Sequence, residues 1–261
     1  MSGIEPVLRT LSTGVTARPR LTHYDTVDGF PERIELSGRV LLNWVHKAAN
    51  LLREEFDLEP GARVVVDLPA GHWRAAYWAL AAWAVGACVV VPSPEMAASD
   101  SSTDTDSPAQ DADVVVSRDA GDGATWPPRV VVTLAALARR HPDGVPQGAF
   151  DEAAVLSTYG DVFDDGAEPD PDAPALVTAG ADGEEIVSTF AELSASGAGS
   201  GAEANERVLL VDPSDAAATL RTLLHTWAAD GSVVVSRSEA QSPEEDALQR
   251  LADSEGITRR A

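Results

Sequence analysis

The groups best able to do chemistry in this sequence are one lysine, one cysteine and five histidines. Lys47 is the only lysine in the 261 residues, so a reaction that requires a lysine must use Lys47 or fail. Its position within an amphipathic segment favours a solvated lysine on a helix face over a catalytic one. Cys88 has no second cysteine to pair with, which excludes an internal disulfide framework and a zinc site built on cysteines.

The histidines show no pattern typical of a metal centre. No two of them have the spacing of helical ligands, and no carboxylate motif frames them. We predict surface or hydrogen-bonded histidines, with His225 at the edge of an apolar helix face, and no metal site. The acidic residues Asp161, Asp164 and Asp165 lack the pattern of an EF-hand loop, so a solvated acidic linker is favoured over a calcium site. The five histidines are His23, His46, His72, His141 and His225.

Composition and missing motifs exclude several classes of function. With 19 Lys+Arg and 42 Asp+Glu the formal net charge is −23, which argues against binding to nucleic acid or to anionic membranes. The sequence has no Gly-x-Ser-x-Gly elbow and no nucleophilic Cys–His pair, so no catalytic residue is predicted. It shows no signal peptide, and its longest apolar stretch, Ala75–Val91, is too short and interrupted to span a bilayer. We expect a soluble cytoplasmic protein.

The first part of the chain predicts a short helix, a hairpin, a long helix and a βαβ unit. Asp28 and Gly29 are turn residues between the two hairpin strands, and Ser37 is a suitable N-cap for the long helix. A strand, a helix and a second strand then follow within 29 residues, which implies a parallel sheet. The predicted bounds are Ile4–Ser12, Arg20–Asp25, Arg33–Leu36, Arg63–Leu68, Gly71–Val85 and Ala87–Val91.

The second part predicts further strands that alternate with polar stretches. A last helix over Ser242–Asp253 opens with a capping box that has proline at its first helical position. The expected strands are Val114–Ser117, Arg129–Thr133 and Ala175–Thr178, and the expected polar loops are 93–113, 161–172 and 194–205.

One α/β block occurs twice. Residues 207–213 repeat the pattern of residues 63–69, and Trp227 repeats Trp83. The offset is 144 residues at both places, and it is the same for the valines that follow, which favours an internal duplication over a chance likeness of two βαβ units.

We therefore predict an α/β fold with two duplicated, mainly parallel sheet layers flanked by helices. The first half, with the N-terminal hairpin, is placed at residues 1–113. The second, incomplete half is placed at residues 114–261, and the two are expected to pack as one domain.

Four stretches carry a resemblance to a known superfamily. They are Leu21–Asp25 with the long helix after it, Leu58–Val64, Trp78–Pro92 and Pro171–Gly180. Together they resemble the N-terminal part of the adenylate-forming enzymes, which include acyl-CoA synthetases, peptide-synthetase adenylation domains and luciferases. The whole is similar to a family of short, adenylate-forming-like actinobacterial proteins. The resemblance implies the same α/β fold as the N-terminal domain of those enzymes.

The resemblance also implies a phosphate-binding loop, which would be degenerate here. Thr178, Gly180 and Gly183 keep the hydroxyl or glycine character of that loop and are the candidate cofactor-binding residues for ATP or AMP. Glu184 and Glu185 stand where the superfamily has Pro-Lys-Gly. Because a carboxylate near a phosphate costs on the order of 1–4 kcal/mol at about 4 Å, triphosphate binding should be weak unless a metal bridges the acids. A plain strand-to-loop turn is the alternative interpretation.

The adenine-binding motif, the ribose-binding aspartate and the domain with the catalytic lysine have no counterpart in this sequence. The hypothesis that follows is a catalytically inactive, truncated homologue that acts as a binding or regulatory module, with no bound cofactor beyond a residual nucleotide or acyl site. One alternative is an AMP-forming acid ligase that is active only with a separate chain supplying the missing half. Another is a structural interaction protein, for example a homodimer.

Overall fold

The computed structural model describes residues 4–13, 17–27, 31–92, 111–120, 127–164, 169–180, 184–199, 203–238 and 245–261. In chain order the elements are α1 (Glu5–Ser12), β1 (Pro19–Asp25), β2 (Glu32–Ser37), α2 (Gly38–Phe56), β3 (Arg63–Asp67), α3 (Trp73–Ala84), β4 (Cys88–Val91), β5 (Val114–Ser117), β6 (Arg129–Val131), β7 (Phe150–Asp151), α4 (Glu152–Val155), β8 (Pro174–Ala179), β9 (Glu185–Thr189), α5 (Phe190–Gly199), β10 (Arg207–Val211), α6 (Ala216–Ala228), β11 (Ser232–Arg237), α7 (Glu245–Glu255) and β12 (Arg259–Arg260). A turn of 3-10 helix, Leu156–Thr158, extends α4.

Two sheets make up the fold, and most strand pairs in them are parallel. The seven-stranded sheet has the order β7-β6-β5-β3-β4-β8-β9, and the five-stranded sheet has the order β12-β10-β11-β1-β2. Among the described strands, the antiparallel pairs are the hairpins β1–β2 and β8–β9. Strands of both sheets and the helices around them share one large apolar core. The predicted α/β architecture of two mainly parallel layers is confirmed.

The register of the strands follows the repeated sequence block. Arg63 pairs with Cys88 in β3–β4, and Arg207 pairs with Ser232 in β10–β11, so the two βαβ units match at the offset of 144 residues. The short strand β12 lies beside β10 as β5 lies beside β3. The topology therefore agrees with an internal duplication.

Each half contributes its hairpin to the sheet of the other half. The hairpin β1–β2, which precedes the first βαβ unit, joins β11, and the hairpin β8–β9, which precedes the second unit, joins β4. The register of both hairpins shifts at the same place, after Pro19 and after Pro174. The two halves are thus interlocked, and the boundary at residues 113 and 114 stays a prediction.

The long helix α2 begins as its sequence predicts. The Ser37 hydroxyl accepts a hydrogen bond from the backbone N–H of Val40 at 3.3 Å. The helix ends where Asp57 takes the left-handed conformation, with φ at 50°. Leu41 and Leu52, on its predicted apolar stripe, are fully buried.

Lys47 differs from its prediction. Its side chain is only 11% exposed, and its Nζ donates to the backbone carbonyls of Ser157 at 3.2 Å and Tyr159 at 2.5 Å. The carboxylate of Asp161 lies 2.5 Å from the same ammonium. The prediction of a solvated lysine was wrong, because helical periodicity identifies a face but not the loop that folds over it.

Strand β9 and helix α5 were not predicted from the sequence. The stretch 194–205 was expected to be a polar loop, yet α5 extends to Gly199. The helix starts with a capping box: the Thr189 N–H donates to Glu192 Oε2 at 2.8 Å, and the Glu192 N–H donates to Thr189 Oγ1 at 3.2 Å. This Thr-x-x-Glu signal was present in the sequence.

Some predictions fall outside the described residues. These are the turn at Asp28 and Gly29, the candidate binding residue Gly183 and the capping residues Ser242–Glu244. Residues 93–110, 165–168 (with Asp165) and 200–202 of the three predicted polar loops also lie outside them. Over the part of the chain that the structure does describe, no helix combines the length and the apolar character needed to cross a membrane.

Candidate functional site

A cleft of about 790 Å³ opens at the carboxyl ends of β3, β4 and β8. Its opposite wall is the start of α6, with Ser214, Asp215 and Arg221. The loop after β3 and the loop after β10, which correspond in the duplicated block, therefore face each other across it. This volume lies within the range of pockets that hold small molecules.

The strand order of the seven-stranded sheet explains why a cleft forms here. From β3 the chain continues to β4 on one side of β3, and it then crosses to β5 on the other side. Strand connections that diverge in this way leave a crevice at the carboxyl ends, where open α/β sheets bind their ligands. Asp67 ends β3, Arg118 and Asp119 follow β5, and all three line the cleft.

Asp67 is the most distinctive ionisable group in the cleft. It is half-buried, and within the described residues its carboxylate accepts no hydrogen bond. Burial raises the pKa of this carboxyl, whereas the nearby charges of Arg129 and Arg118 act in the opposite direction. A carboxyl group with a perturbed pKa and no hydrogen-bond partner in a cleft is available to a ligand.

Ser117 positions Arg129 next to Asp67. Ser117 is the register partner of Asp67 across β3 and β5, and it is buried. Its hydroxyl accepts a hydrogen bond from Arg129 Nη1 at 2.9 Å and donates one to the backbone carbonyl of Asp119 at 2.7 Å. Arg129 donates to the same carbonyl at 3.2 Å. The guanidinium is thus held in a fixed place at the carboxyl end of the sheet.

The wall formed by α6 is both polar and charged. The Asp215 carboxylate accepts a hydrogen bond from the backbone N–H of Ala218 at 2.9 Å and so caps the helix. Arg221 follows less than two turns later and donates to Ser188 Oγ at 2.6 Å. Across from these groups, Val91 and Ile186 give the cleft an apolar side.

Two of the three predicted cofactor-binding residues, Thr178 and Gly180, lie in the described part of the chain. Thr178 lines the cleft, and Gly180 lies two residues further along the chain. The backbone N–H of Gly180 donates to the carbonyl of Glu184 at 2.7 Å and closes the turn between β8 and β9. That N–H is therefore engaged, while Thr178 remains able to contact a ligand. Gly183 lies outside the described residues, and a role of the three residues in nucleotide binding stays a prediction.

One of the two glutamates expected to repel phosphate is neutralised. The Glu185 carboxylate lies 2.6 Å from a guanidinium nitrogen of Arg63. This partner raises the pKa of Arg63 and holds the Glu185 side chain in an ion pair. The lining of the cleft at this strand comes from Ile186. The electrostatic penalty inferred from the sequence is thus smaller than a count of acids indicates.

A second group of ionisable side chains lies where the two sheets meet. The rings of His23 and His72 pack edge to face with centroids 4.8 Å apart, and His23 Nε2 lies 3.7 Å from Asp25 Oδ2. The potential ligand atoms of the three residues lie within 4.8 Å of one another. His23 is fully buried, and neither of its ring nitrogens has a hydrogen-bond partner among the described residues. The prediction of a surface or hydrogen-bonded histidine was wrong for His23.

The charges around this triad do not suit a metal cation. Arg237 Nη1 lies 2.5 Å from Asp25 Oδ2 and already supplies a positive charge to that carboxylate. His72 Nδ1 accepts the backbone N–H of Arg74 at 3.2 Å and caps α3. Burial and then Arg237 lower the pKa of His23 to about 3, and burial is also the main cause that lowers the pKa of His72. We interpret the pair as neutral imidazoles that join strand β1 to the start of α3.

Comparison with known proteins gives one curated relative. A protein of Mycobacterium tuberculosis (strain ATCC 25618 / H37Rv) described as a TIGR03089 family protein is 32% identical over 260 residues, which cover 98% of this chain and 95% of that protein. The chain belongs to the TIGR03089 family. No family model matches its sequence.

Solved structures show which fold this TIGR03089 family member has. An acyl-CoA synthetase of Brucella canis aligns with a TM-score of 0.72 at 15% identity, over 99% of this chain and 47% of that one. The N-terminal domain of FACL13 from Mycobacterium tuberculosis aligns with a TM-score of 0.68 at 14% identity, over 100% of this chain and 62% of that one. Klebsiella oxytoca NpsA in complex with 3-hydroxyanthranilyl-AMSN aligns with a TM-score of 0.64 at 16% identity, over 100% of this chain and 47% of that one.

The fold is therefore that of the N-terminal part of adenylate-forming enzymes, as the sequence resemblance implied. The chain spans about half the length of these solved structures, and at such identities the likeness extends to the fold alone.

Proposed function

We propose that this chain is a binding module that holds a small molecule in the cleft and does not form adenylates itself. The observation that carries the proposal is the place of Lys47. It is the only lysine of the sequence, and the residues that bind its ammonium, Ser157, Tyr159 and Asp161, do not line the cleft. The resemblance implies that adenylation uses a lysine, and no other lysine of this chain can provide one.

The geometry at the rim supports binding without turnover. The backbone N–H of Gly180, a candidate cofactor-binding residue, already donates to the carbonyl of Glu184 and is not free to bind a phosphate. Thr178 and the adjoining apolar wall at Ile186 remain accessible from the cleft. We expect AMP or a non-hydrolysable acyl-adenylate analogue to bind more tightly than Mg-ATP, since neither brings β- and γ-phosphates to a rim where Glu184 and Glu185 stand in place of the Pro-Lys-Gly of the superfamily loop.

Thermal denaturation in the presence of AMP, Mg-ATP and the acyl-adenylate analogue tests the proposal. Ligand at 100 times its dissociation constant adds about 2.7 kcal/mol of stability, which raises the melting temperature measurably. In the variant Thr178→Tyr the larger side chain fills the rim, so ligand should no longer raise the melting temperature. In Thr158→Tyr, at an exposed position outside the cleft, ligand should still raise it. Absence of a shift with all three ligands contradicts a nucleotide-type site. Release of pyrophosphate from ATP with any carboxylic acid contradicts an inactive module.

A second candidate function is an acid ligase completed by another chain. It is favoured by one observation: the cleft is present although the chain spans about half the length of the solved enzymes of this fold. In that case pyrophosphate release should appear only when a co-purifying chain is added. Failure of every such chain to restore activity leaves the binding module as the better proposal.

A further inference from the structure

The cleft combines guanidinium groups with one carboxylate that has no hydrogen-bond partner among the described residues. Arg118 lines the cleft, is exposed and donates no hydrogen bond to a described residue. Arg129 is held behind it by Ser117, next to Asp67. Arg221 faces the cleft from α6. Positive groups therefore approach the cleft from two walls. Asp67, at the end of β3, lies close enough to Arg118 and Arg129 for their charges to act on its carboxylate.

Building on the proposed binding function, we propose that the cleft is a proton-coupled anion site. Asp67 balances the charges of Arg118 and Arg129 in the empty cleft, and a ligand with an anionic oxygen group takes over this role as Asp67 gains a proton. The ligand class is a small molecule with a carboxylate, sulfate or phosphate group. The guanidinium groups stay charged throughout, because they cannot be deprotonated in this pH range.

The electrostatic reason is the competition between two negative charges for the same cations. An anion bound at Arg118, with the Arg129 guanidinium behind it, repels the ionised carboxylate of Asp67. This repulsion is weakly screened because Asp67 is half-buried. Burial already raises the pKa of Asp67, so its neutral form is easier to reach than that of an exposed aspartate. A bound anion raises this pKa further. Affinity for an anion should therefore rise as the pH falls, by up to about tenfold per pH unit where one proton is taken up.

Two other carboxylates face the cleft. Asp119 follows Arg118, and Asp215 lies on the α6 wall. Both side chains are exposed to water, and the Asp215 carboxylate accepts a hydrogen bond from the backbone N–H of Ala218. Asp67 differs from both because it is half-buried and accepts no hydrogen bond from a described residue. It is therefore the group expected to take up the proton.

Calorimetric titration with sulfate and with benzenesulfonate tests the proposal, since neither probe changes its charge between about pH 4.5 and 8. Titrations in two buffers with different ionisation enthalpies give the number of protons taken up. For the wild-type protein we expect uptake of up to one proton per anion and weaker binding at higher pH. Asp67→Asn should bind about tenfold more tightly at pH 8 and take up no proton. Arg118→Gln should weaken binding of both probes.

Two further variants serve as controls. Asp143→Asn makes the same charge change at an exposed position outside the cleft and should behave as wild type. Asp67→Glu keeps a titratable group and should retain proton uptake. Circular dichroism and urea unfolding establish that each variant is folded before it is titrated.

The outcomes separate this inference from the proposed function. Binding of the probes without proton uptake, or an unchanged pH dependence in Asp67→Asn, overturns the inference. If AMP still raises the melting temperature in that case, the binding module stands and only the role of Asp67 is wrong. If neither AMP nor the two anions bind at any pH, both proposals are wrong.

Discussion

The indole Nε1–H of Trp83 donates to the backbone carbonyl of Ala175 at 2.6 Å. Its counterpart 144 residues later, Trp227, donates to the backbone carbonyl of Arg20 at 2.9 Å. Ala175 and Arg20 each follow the proline that begins an exchanged hairpin. Each βαβ unit therefore holds the hairpin of the other half with the same hydrogen bond, and the duplication extends from sequence to contacts.

We expect Trp83→Phe and Trp227→Phe each to destabilise the protein. Each substitution leaves a buried backbone carbonyl without its donor, which costs about 1–3 kcal/mol in addition to the lost ring volume. The matched control is Trp78→Phe, because the Trp78 indole N–H is buried without a partner in the described structure. Urea denaturation measures the free energy of unfolding of all three variants. If Trp83→Phe costs no more than Trp78→Phe, the hydrogen bond is not important for stability.

Acid should weaken the contact between β1 and the start of α3 through His23 and His72. The pKa of His23 is about 3 in the folded state, against 6.5 for a histidine in a short, unstructured peptide, and the pKa of His72 is shifted in the same direction. Below pH 6.5 the unfolded chain therefore binds protons that the folded state excludes. Each histidine then removes about 1.4 kcal/mol of stability per pH unit, for His23 down to about pH 3.

Urea unfolding of the wild type and of His23→Phe between pH 7.5 and 4.5 measures this effect. The variant keeps an aromatic ring but cannot titrate, so its stability should fall less steeply with acid. Titration of carboxylates affects both proteins and cancels in the comparison. Parallel curves for the two proteins contradict the assignment of a neutral, buried His23.

A buried ion pair joins α3 to α4. Arg74 Nη1 lies 2.8 Å from Glu152 Oε1, and the Tyr77 hydroxyl donates to the same oxygen. Glu152→Ala should destabilise the protein by about 3–5 kcal/mol because it leaves Arg74 buried and unpaired. The double variant Arg74→Met, Glu152→Leu should recover much of this loss, since it removes both charges. Thermal unfolding compares the two, and equal instability of both variants contradicts the explanation.

Lys47 should matter for stability and not for ligand binding. Lys47→Ala removes the donor to the carbonyls of Ser157 and Tyr159, which we expect to cost about 1–3 kcal/mol. The dissociation constant for AMP, measured by calorimetry at a temperature where the variant is folded, should be unchanged. A large loss of affinity in this variant places Lys47 in the binding machinery and contradicts the proposed function.

Local signals in the sequence were sufficient to predict the positions of most strands and helices. The alternation of apolar strands and an apolar helix located β3, α3 and β4, and the constant spacing of Trp83 and Trp227 revealed the duplication. The capping box of Thr189 and Glu192 was equally local and could have located α5. It was missed because the small residues that follow resemble a loop in composition.

The arrangement of the site could not be obtained in the same way. Asp67 ends one predicted strand, β3, and Arg118 directly follows another, β5. Only the order of the strands in the sheet brings the two residues to one crevice. That order depends on pairings between residues far apart, which periodicity does not report. The contact of His23 with His72 is a further example, because it joins strand β1 to the N-cap of α3, which lies far along the chain.

The exchange of hairpins has a consequence for synthesis of the chain. Strand β1 is made first, yet its parallel partner is β11, where Leu21 pairs with Val233. At a translation rate of about 5–20 residues per second, roughly 10–40 s pass between the two strands. Throughout that time the nascent chain presents an unpaired strand edge, so folding on the ribosome should depend on whatever shields that edge until the last third of the protein has emerged.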